Sequence, residues 1–214
     1  MEHENLYNRI LAHFTGPKFS EDVQQSKRSF FESSGALDEQ SAFYELRMRQ
    51  FLDWYFFTHQ LREYKRTPLE AAPMVRELRL SDQDMLWIES FKHQRHSLFE
   101  FLKLKNGNVY LKDIFANQKF TVTNCPWVMG FDCEEIFEAR LIPSGPNYVF
   151  MRGLCFHPAE AKKFILSEVK KYRSDRDLDP EVLMLRLMKM RYKFEQFKHV
   201  RFDMIYSNEN RLGF

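Results

Sequence analysis

The sequence predicts an α+β protein, with helical regions at both ends and a small antiparallel β-barrel or roll of the SH3-like or OB-like type between them. Three observations predict it. Residues 96–157 carry the one long run of strand-like alternation, and tight-turn signals punctuate it. Residues 1–95 and 158–214 repeat apolar residues at helical spacing instead. The chain has 22 phenylalanines and only seven glycines, which suits an aromatic core better than flexible linkers.

Each element has a local reason. Glu2 to Phe14 places Leu6, Ile10 and Phe14 on one helical face, and Gly16-Pro17 stops it. Phe19 to Ser33 reads as a second helix, with Ser20 as its cap and Glu21 and Asp22 favoured by the helix dipole. Asp38 is the expected cap of a third helix that runs to Phe57. There Tyr44, Met48, Phe51 and Tyr55 form a stripe, and Trp54 and Phe57 make the end apolar nearly all round. Thr67-Pro68-Leu69-Glu70 has the spacing of a capping box with proline at the first helical position. Ser81 to Asp84 opens a helix carrying Met85, Trp87, Ile88 and Phe91.

In the middle, Phe99–Lys105 and Val109–Ile114 flank Asn106-Gly107-Asn108, a strong hairpin signal because Asn and Gly tolerate positive φ. Lys119–Thr123 follows the turn Ala116-Asn117-Gln118, and Asn124-Cys125-Pro126 breaks the ladder. Glu135–Ile142 alternates, so Phe137, Ala139 and Leu141 are expected inside, with Glu138 and Arg140 outside. Tyr148–Phe156 is the last strand of the block. Ala159–Tyr172 is a helix with Phe164, Ile165 and Val169 as its apolar face. After a charged linker, Asp179-Pro180-Glu181 starts a long helix. In it Leu183, Leu187, Met190, Phe194 and Phe197 recur at spacings of four and three, a heptad seam. Phe202–Tyr206 reads as a short strand.

The net charge of +2 is too small to demand a nucleic-acid partner. Three cysteines without paired spacing fit a reducing cytoplasm. The opening MEHENLYNRILAHF lacks the apolar core of a signal peptide, and no apolar run is long enough to span a bilayer.

The stretches Phe51-Leu52-Asp53-Trp54-Tyr55-Phe56-Phe57, Thr67-Pro68-Leu69-Glu70, Ser97-Leu98-Phe99-Glu100 and Glu138-Ala139-Arg140-Leu141 follow one another over residues 40–157. In that order they resemble a group of uncharacterised bacterial proteins that join an aromatic helix to a small β module. Some of these carry a cysteine-rich, metal-binding tail of the SEC-C type. The resemblance implies packing and turn positions and carries no active site across. No cysteine follows Cys155, so the metal ligands of such a tail are not expected here.

Candidate chemistry is sparse. Cys125, Cys133, Cys155 and His157 are metal-ligand types without the short Cys-x2–4-Cys hook, so no metal or cofactor is predicted. His93 and His96 stand three apart near a helix end, where capping carbonyls is the plainer role. Asp132, Glu134, Glu135 and Glu138 read as a solvated face rather than an acid–base pair. No nucleophile elbow, P-loop, dinucleotide glycine pattern or His-Glu-x-x-His is present. Cys155 and His157, at strand positions i and i+2, are the one pair suited to nucleophilic chemistry.

The expected function is therefore non-enzymatic: a cytoplasmic binding or adaptor protein that uses the seam Leu183, Leu187, Met190, Phe194 and Phe197 on a partner or on a second copy. The competing role for that helix is to close its own core. The alternative function is single-stranded nucleic-acid binding. Lys103, Lys105, Lys112 and Lys119 interleave with Phe101, Tyr110 and Phe120, the mixture that lets lysines meet phosphate while bases stack on rings. A Cys155–His157 enzyme is the second alternative.

Overall fold

A computed structural model describes residues 2–123, 125, 135–175 and 177–209. Its strands close into a barrel because β1 (Arg95–Lys105) is long enough to serve two neighbours. Its second half pairs antiparallel with β2 (Asn108–Asp113) and its first half with β4 (Ile136–Ser144). β2 pairs with β3 (Gln118–Val122), which meets β5 (Asn147–Phe150) in parallel at Val122–Tyr148. β5 returns to β4. The order β1-β2-β3-β5-β4 thus ends where it began. A meander cannot make β3 and β5 parallel neighbours. The connection is a Greek key, so of the two expected barrel types the OB-like one fits.

Turn chemistry sets the register. Asn106 and Gly107 both take positive φ, 52° and 74°, which matches the twist of the flanking strands. Leu102 is an extra residue between Phe101 and Lys103, a bulge that helps β1 bend around the barrel. Phe99, Leu111, Val122, Phe137, Leu141 and Phe150 fill the interior. Asn124 and Pro126, expected to break the ladder, lie outside the described residues, as do Asp132, Cys133 and Glu134.

Several expectations need correction. Glu138 and Arg140 leave the barrel on its outer side as their parity requires, yet they are only 5% and 6% exposed. Helices cover that side, so β4 is buried on both faces from Ile136 to Ile142. The last strand is split: Met151–Leu154 separates β5 from β6 (Cys155–Phe156), which pairs with β4 at Phe137 and Glu138. Residues 202–205 form a helical turn instead of a strand.

The helices are α1 (Glu2–Phe14), α2 (Ser20–Ser34), α3 (Tyr44–Phe57), α4 (Pro68–Ala71), α5 (Asp82–Lys92), α6 (Lys162–Ser174), α7 (Pro180–Gln196) and α8 (Phe202–Ile205). The Thr67 and Ser81 capping boxes form, although α4 runs for a single turn before Pro73 diverts the chain. Ser20 caps nothing, because a 3-10 turn over Pro17–Phe19 feeds α2 directly. Asp38 accepts from Gln40 N in a turn, and α3 starts only at Tyr44.

Two cores flank the barrel. One gathers α1, α2, α3 and α5 around Phe14, Phe30, Phe51, Tyr55, Phe56 and Phe91. The other joins Leu98 and Ile136 of the barrel wall to Ile165, Val169, Leu183, Leu187 and Ile205. α7 belongs to both. Leu183, Leu187 and Met190 face the second core, while Leu185, Met188 and Tyr192 face the first. Gly153 marks where the barrel meets α3. A Cβ there would sit 2.6 Å from Asp53 Oδ2 and 3.0 Å from Gln50 Cα.

Leu187→Ala is expected to cost about 2–5 kcal/mol of unfolding free energy, through lost burial and the cavity left behind. Val182→Ala, on the exposed side of the same helix, is expected to change it by less than about 0.5 kcal/mol. Urea titration of the two variants measures both, and equal losses would mean that the helix faces are assigned wrongly.

Candidate functional site

The heptad seam lies inside its own chain. Leu183 and Leu187 are fully buried, and Phe194 stacks edge-on against Phe202 and Tyr206 of the C-terminal turn. A partner could reach Leu183, Leu187 and Met190 only if α7 left both cores. The seam's end differs. Phe197 is half-buried and lines a groove of about 840 Å3 between α7 and residues 35–43. Leu37, Phe43 and Tyr192 line the groove as well, along with Lys189, Lys193 and Lys198.

Arg47 builds one wall of this groove. Its guanidinium comes from α3 and caps the C-terminus of α2, donating to the carbonyls of Ser34 and Gly35 and to Ser34 Oγ. Those carbonyls end a helix and carry its partial negative charge, so a cation there is favourable. Phe31 and Tyr192 lie against the guanidinium at 5.0 and 4.0 Å. Gln50 Oε1 receives Arg47 Nη1 at 3.3 Å and Tyr192 OH at 3.2 Å, and Gln50 Nε2 donates to Leu154 O at 2.7 Å. One buried cluster therefore fixes α2, α3, α7 and the barrel relative to one another. Arg47 Nε has no partner among the described residues, and burial pulls the Arg47 pKa below its usual value.

The basic residues of the barrel do gather on one outer face. Register pairs Lys105 with Asn108, Lys103 with Tyr110, and Lys112 with Lys119. Phe101 and Phe120 are absent from that face. Phe101 is buried in the barrel core and Phe120 packs against it, so Tyr110 is the ring left outside.

Cys155 and His157 are both buried, and His157 Nδ1 faces the Tyr206 hydroxyl at 3.4 Å. Burial pushes the Cys155 thiol far above its usual pKa, with Glu138 adding to the shift. Burial also holds His157 down to about 3, with Arg191 assisting. An activated cysteine needs the opposite shifts. Cys125 is buried in the barrel, and among the described residues no group of three or more Cys, His, Asp and Glu is placed to hold a metal ion.

Sequence reasoning missed the buried charge cluster between the two helical cores. His96 does not stand on a helix with His93. α5 has ended, and His96 belongs to β1. Its Nε2 is 2.9 Å from Glu138 Oε1 and its Nδ1 2.9 Å from Glu181 Oε2. With a carboxylate on each nitrogen, the ring serves both only as imidazolium. Arg140 donates to Gln94 Oε1 at 3.1 Å and to Thr58 Oγ1 at 2.8 Å, and its Nη2 lies 3.8 Å from Glu181 Oε1. Burial and Arg140 oppose charge on His96, but the two glutamates outweigh them, and its pKa rises above 6.5. Burial would raise Glu181, yet His96 and Arg140 hold it down to about 2. The cavity enclosed here is only about 10 Å3, too small for an organic substrate. The cluster joins β1, β4 and the first turn of α7. It is a structural junction.

The sign of its pH dependence follows. The folded pKa of His96 lies above the unfolded value, so its stabilisation is complete below about pH 6.5 and fades as pH rises through the folded pKa. His157 acts the other way, because its folded pKa is lowered and its stabilisation is lost as pH falls below about 6.5. The two effects separate in a variant. The stability gap between the natural protein and His96→Gln is expected to shrink between about pH 6 and pH 9, as read from urea unfolding at each pH. A constant or widening gap would contradict a charged His96.

No curated protein and no solved structure matches the chain. A family model does match, over residues 18–183, from the 3-10 turn before α2 through the whole barrel to the first turn of α7. The stretch includes Arg47, the lysine face and the buried cluster. The match shows membership of an uncharacterised family and no link to SEC-C-type proteins. The chain belongs to the DUF7986 family, a family of unknown function.

Proposed function

We propose that the protein is a non-enzymatic, cytoplasmic binding protein that takes a segment of a partner protein into the groove between residues 35–43 and the end of α7. The groove itself carries this reading. At about 840 Å3 it exceeds both the adjoining 510 Å3 groove over Gln24, Arg28 and Glu39 and the 140 Å3 pocket beside Tyr7 and Asp53. Its walls offer Leu37, Phe43, Tyr192 and Phe197 to an apolar anchor. Its rim brings Lys189, Lys193 and Lys198 together with Glu32, Asp38 and Glu195; Glu195 is paired with Arg191, Asp38 accepts the Gln40 N–H in its own turn, and Lys189 donates to the Glu32 carbonyl, which leaves the basic character to the Lys193 and Lys198 end. Burial chiefly, and neighbouring Lys189 after it, lower the Lys193 pKa. An acidic segment with one aromatic or large aliphatic side chain complements such a groove. The buried Arg47 cluster beneath ties α2, α3 and α7 together around the groove, and a site formed before binding spares the partner an ordering cost.

Panning a displayed library of short random peptides on the full-length protein is expected to return sequences with Asp or Glu flanking an aromatic or large aliphatic residue. Phe43→Ala, and separately Lys193→Glu with Lys198→Glu, are expected to weaken them by roughly 2 kcal/mol, about thirty-fold; the charge reversals are expected to do so at unchanged Tm, while Phe43→Ala also loses the contact with Tyr192 and lowers Tm. Basic consensus sequences, or equal retention by the variants, would sink the proposal. So would sedimentation showing a dimer that the same charge reversals dissolve, since a second copy would then fill the groove.

A further inference from the structure

We infer that the outer face of β1, β2 and β3 binds single-stranded nucleic acid through Lys103, Lys105, Lys112, Lys119 and Tyr110. This site lies on strands that contribute nothing to the groove above, so the two readings stand or fall separately.

Three observations carry it. First, the lysines are a grid, not a scatter. Across the three strands, one row runs Lys103–Tyr110–Thr121 and the next Glu100–Lys112–Lys119, with Lys105 beside Asn108 at the hairpin end. Lys103, Lys105 and Lys119 are exposed, while Tyr110 and Lys112 are half-exposed. Secondly, none of the four lysines has an anionic partner among the described residues. Glu100, the acid in register with Lys112, is taken by Lys162 at 3.0 Å. Lys112 and Lys119 stand directly opposite each other, a like-charge pair that costs the empty sheet stability and that a bound anion relieves. The chain carries 32 basic and 30 acidic residues, so this is local segregation of charge rather than a general excess. Thirdly, Lys103 Nζ lies 5.0 Å from the Tyr110 ring centre, so the central ring offers a stacking surface beside a cation.

The geometry selects the ligand. The face is the convex outside of a five-stranded barrel, and among the described residues it carries no helix to enter a duplex groove. A flexible single strand can cross it, laying phosphates on the lysines and one base on Tyr110. Phe101 and Phe120 point inwards, so one stacked base is the limit. Binding is then sequence-tolerant and dominated by phosphate contacts.

The probes are an oligothymidylate and an oligouridylate, titrated against the full-length protein by fluorescence anisotropy. Four phosphate contacts predict a log–log salt slope of about −2.8, hence a loss of about fifty-fold between about 50 and about 200 mM salt. Lys112→Gln with Lys119→Gln is expected to halve that slope to about −1.4 and to leave Tm unchanged or raised. Tyr110→Ala is expected to weaken binding at least about five-fold at an unchanged slope. Comparing the two oligomers assigns the ligand to DNA or RNA. No binding to either at low salt would overturn the inference. So would binding untouched by the lysine substitutions, or capture of phosphatidylserine vesicles without capture of either oligomer.

Discussion

The structure depends on β4 being covered on both sides. Closing the barrel puts Phe137, Ala139 and Leu141 in its interior, while the helices bury the opposite face. That face is not apolar throughout. Ile136 joins one helical core and Ile142 the other, but Glu138 and Arg140 lie between them. Buried charges must be paired and hydrogen-bonded or they unfold what contains them. The surrounding elements are arranged to meet that demand. β1 supplies His96, the first turn of α7 supplies Glu181, and Thr58 and Gln94, from either side of α4 and α5, receive the Arg140 guanidinium. Such a cluster adds little net stability over a well-packed apolar one, but removing one partner strands the others. Its contribution is to specify where α7 begins on the barrel.

From that start, α7 can act as a shared wall. Asp179 accepts the Glu181 N–H at 2.9 Å, Pro180 fixes the first turn, and Glu181 reaches His96 from there. The helix then runs between two cores, which explains why methionine and leucine occupy more than one of its faces. At its far end the cores diverge. There Arg47 holds the last carbonyls of α2 while Phe30 and Phe31 anchor its final turns in the core, and the space beyond becomes the groove. Groove and buried junction thus sit at opposite ends of one helix, each organised by a cation that ties separate elements together.

Much of the fold was legible because it rests on short-range rules. Asn106-Gly107 predicts a hairpin from two φ angles, Thr67 to Glu70 predicts a capping box from four residues, and the α7 seam follows from spacing alone. What was not legible depends on contacts distant in sequence. Parity put Glu138 and Arg140 outside the barrel, and they are outside it. Parity cannot say that helices lie beyond. Arg47 reads as one more charge on an amphipathic helix, and its role appears only when Ser34, Gly35 and Tyr192 converge on it. Phe202–Tyr206 has strand composition but forms a helical turn, and it packs its rings on Phe194 and Phe164. The lysine face was half legible. Its residues were readable, but the inward turn of Phe101 and Phe120 depends on the barrel's closure.

The two charged regions of this barrel show how position decides what a charge means. On β4 the medium is protein, and an unpaired Arg140 or Glu138 would be prohibitive, so each of these side chains has a partner, His96 for Glu138 and Gln94 and Thr58 for Arg140, although Glu138 Oε2 accepts no hydrogen bond among the described residues, and the pairing speaks of folding. On β1 to β3 the medium is water. Repulsion between Lys112 and Lys119 is weakened there by the surrounding solvent, and the fold can tolerate its small cost. Tolerance alone, however, explains neither the grid register nor the placing of the one outward ring at its centre, since solvated charges are free to be scattered. Energy accounts for the inner cluster. For the outer one it sets only an upper bound, and the arrangement has to be understood through what the face can hold.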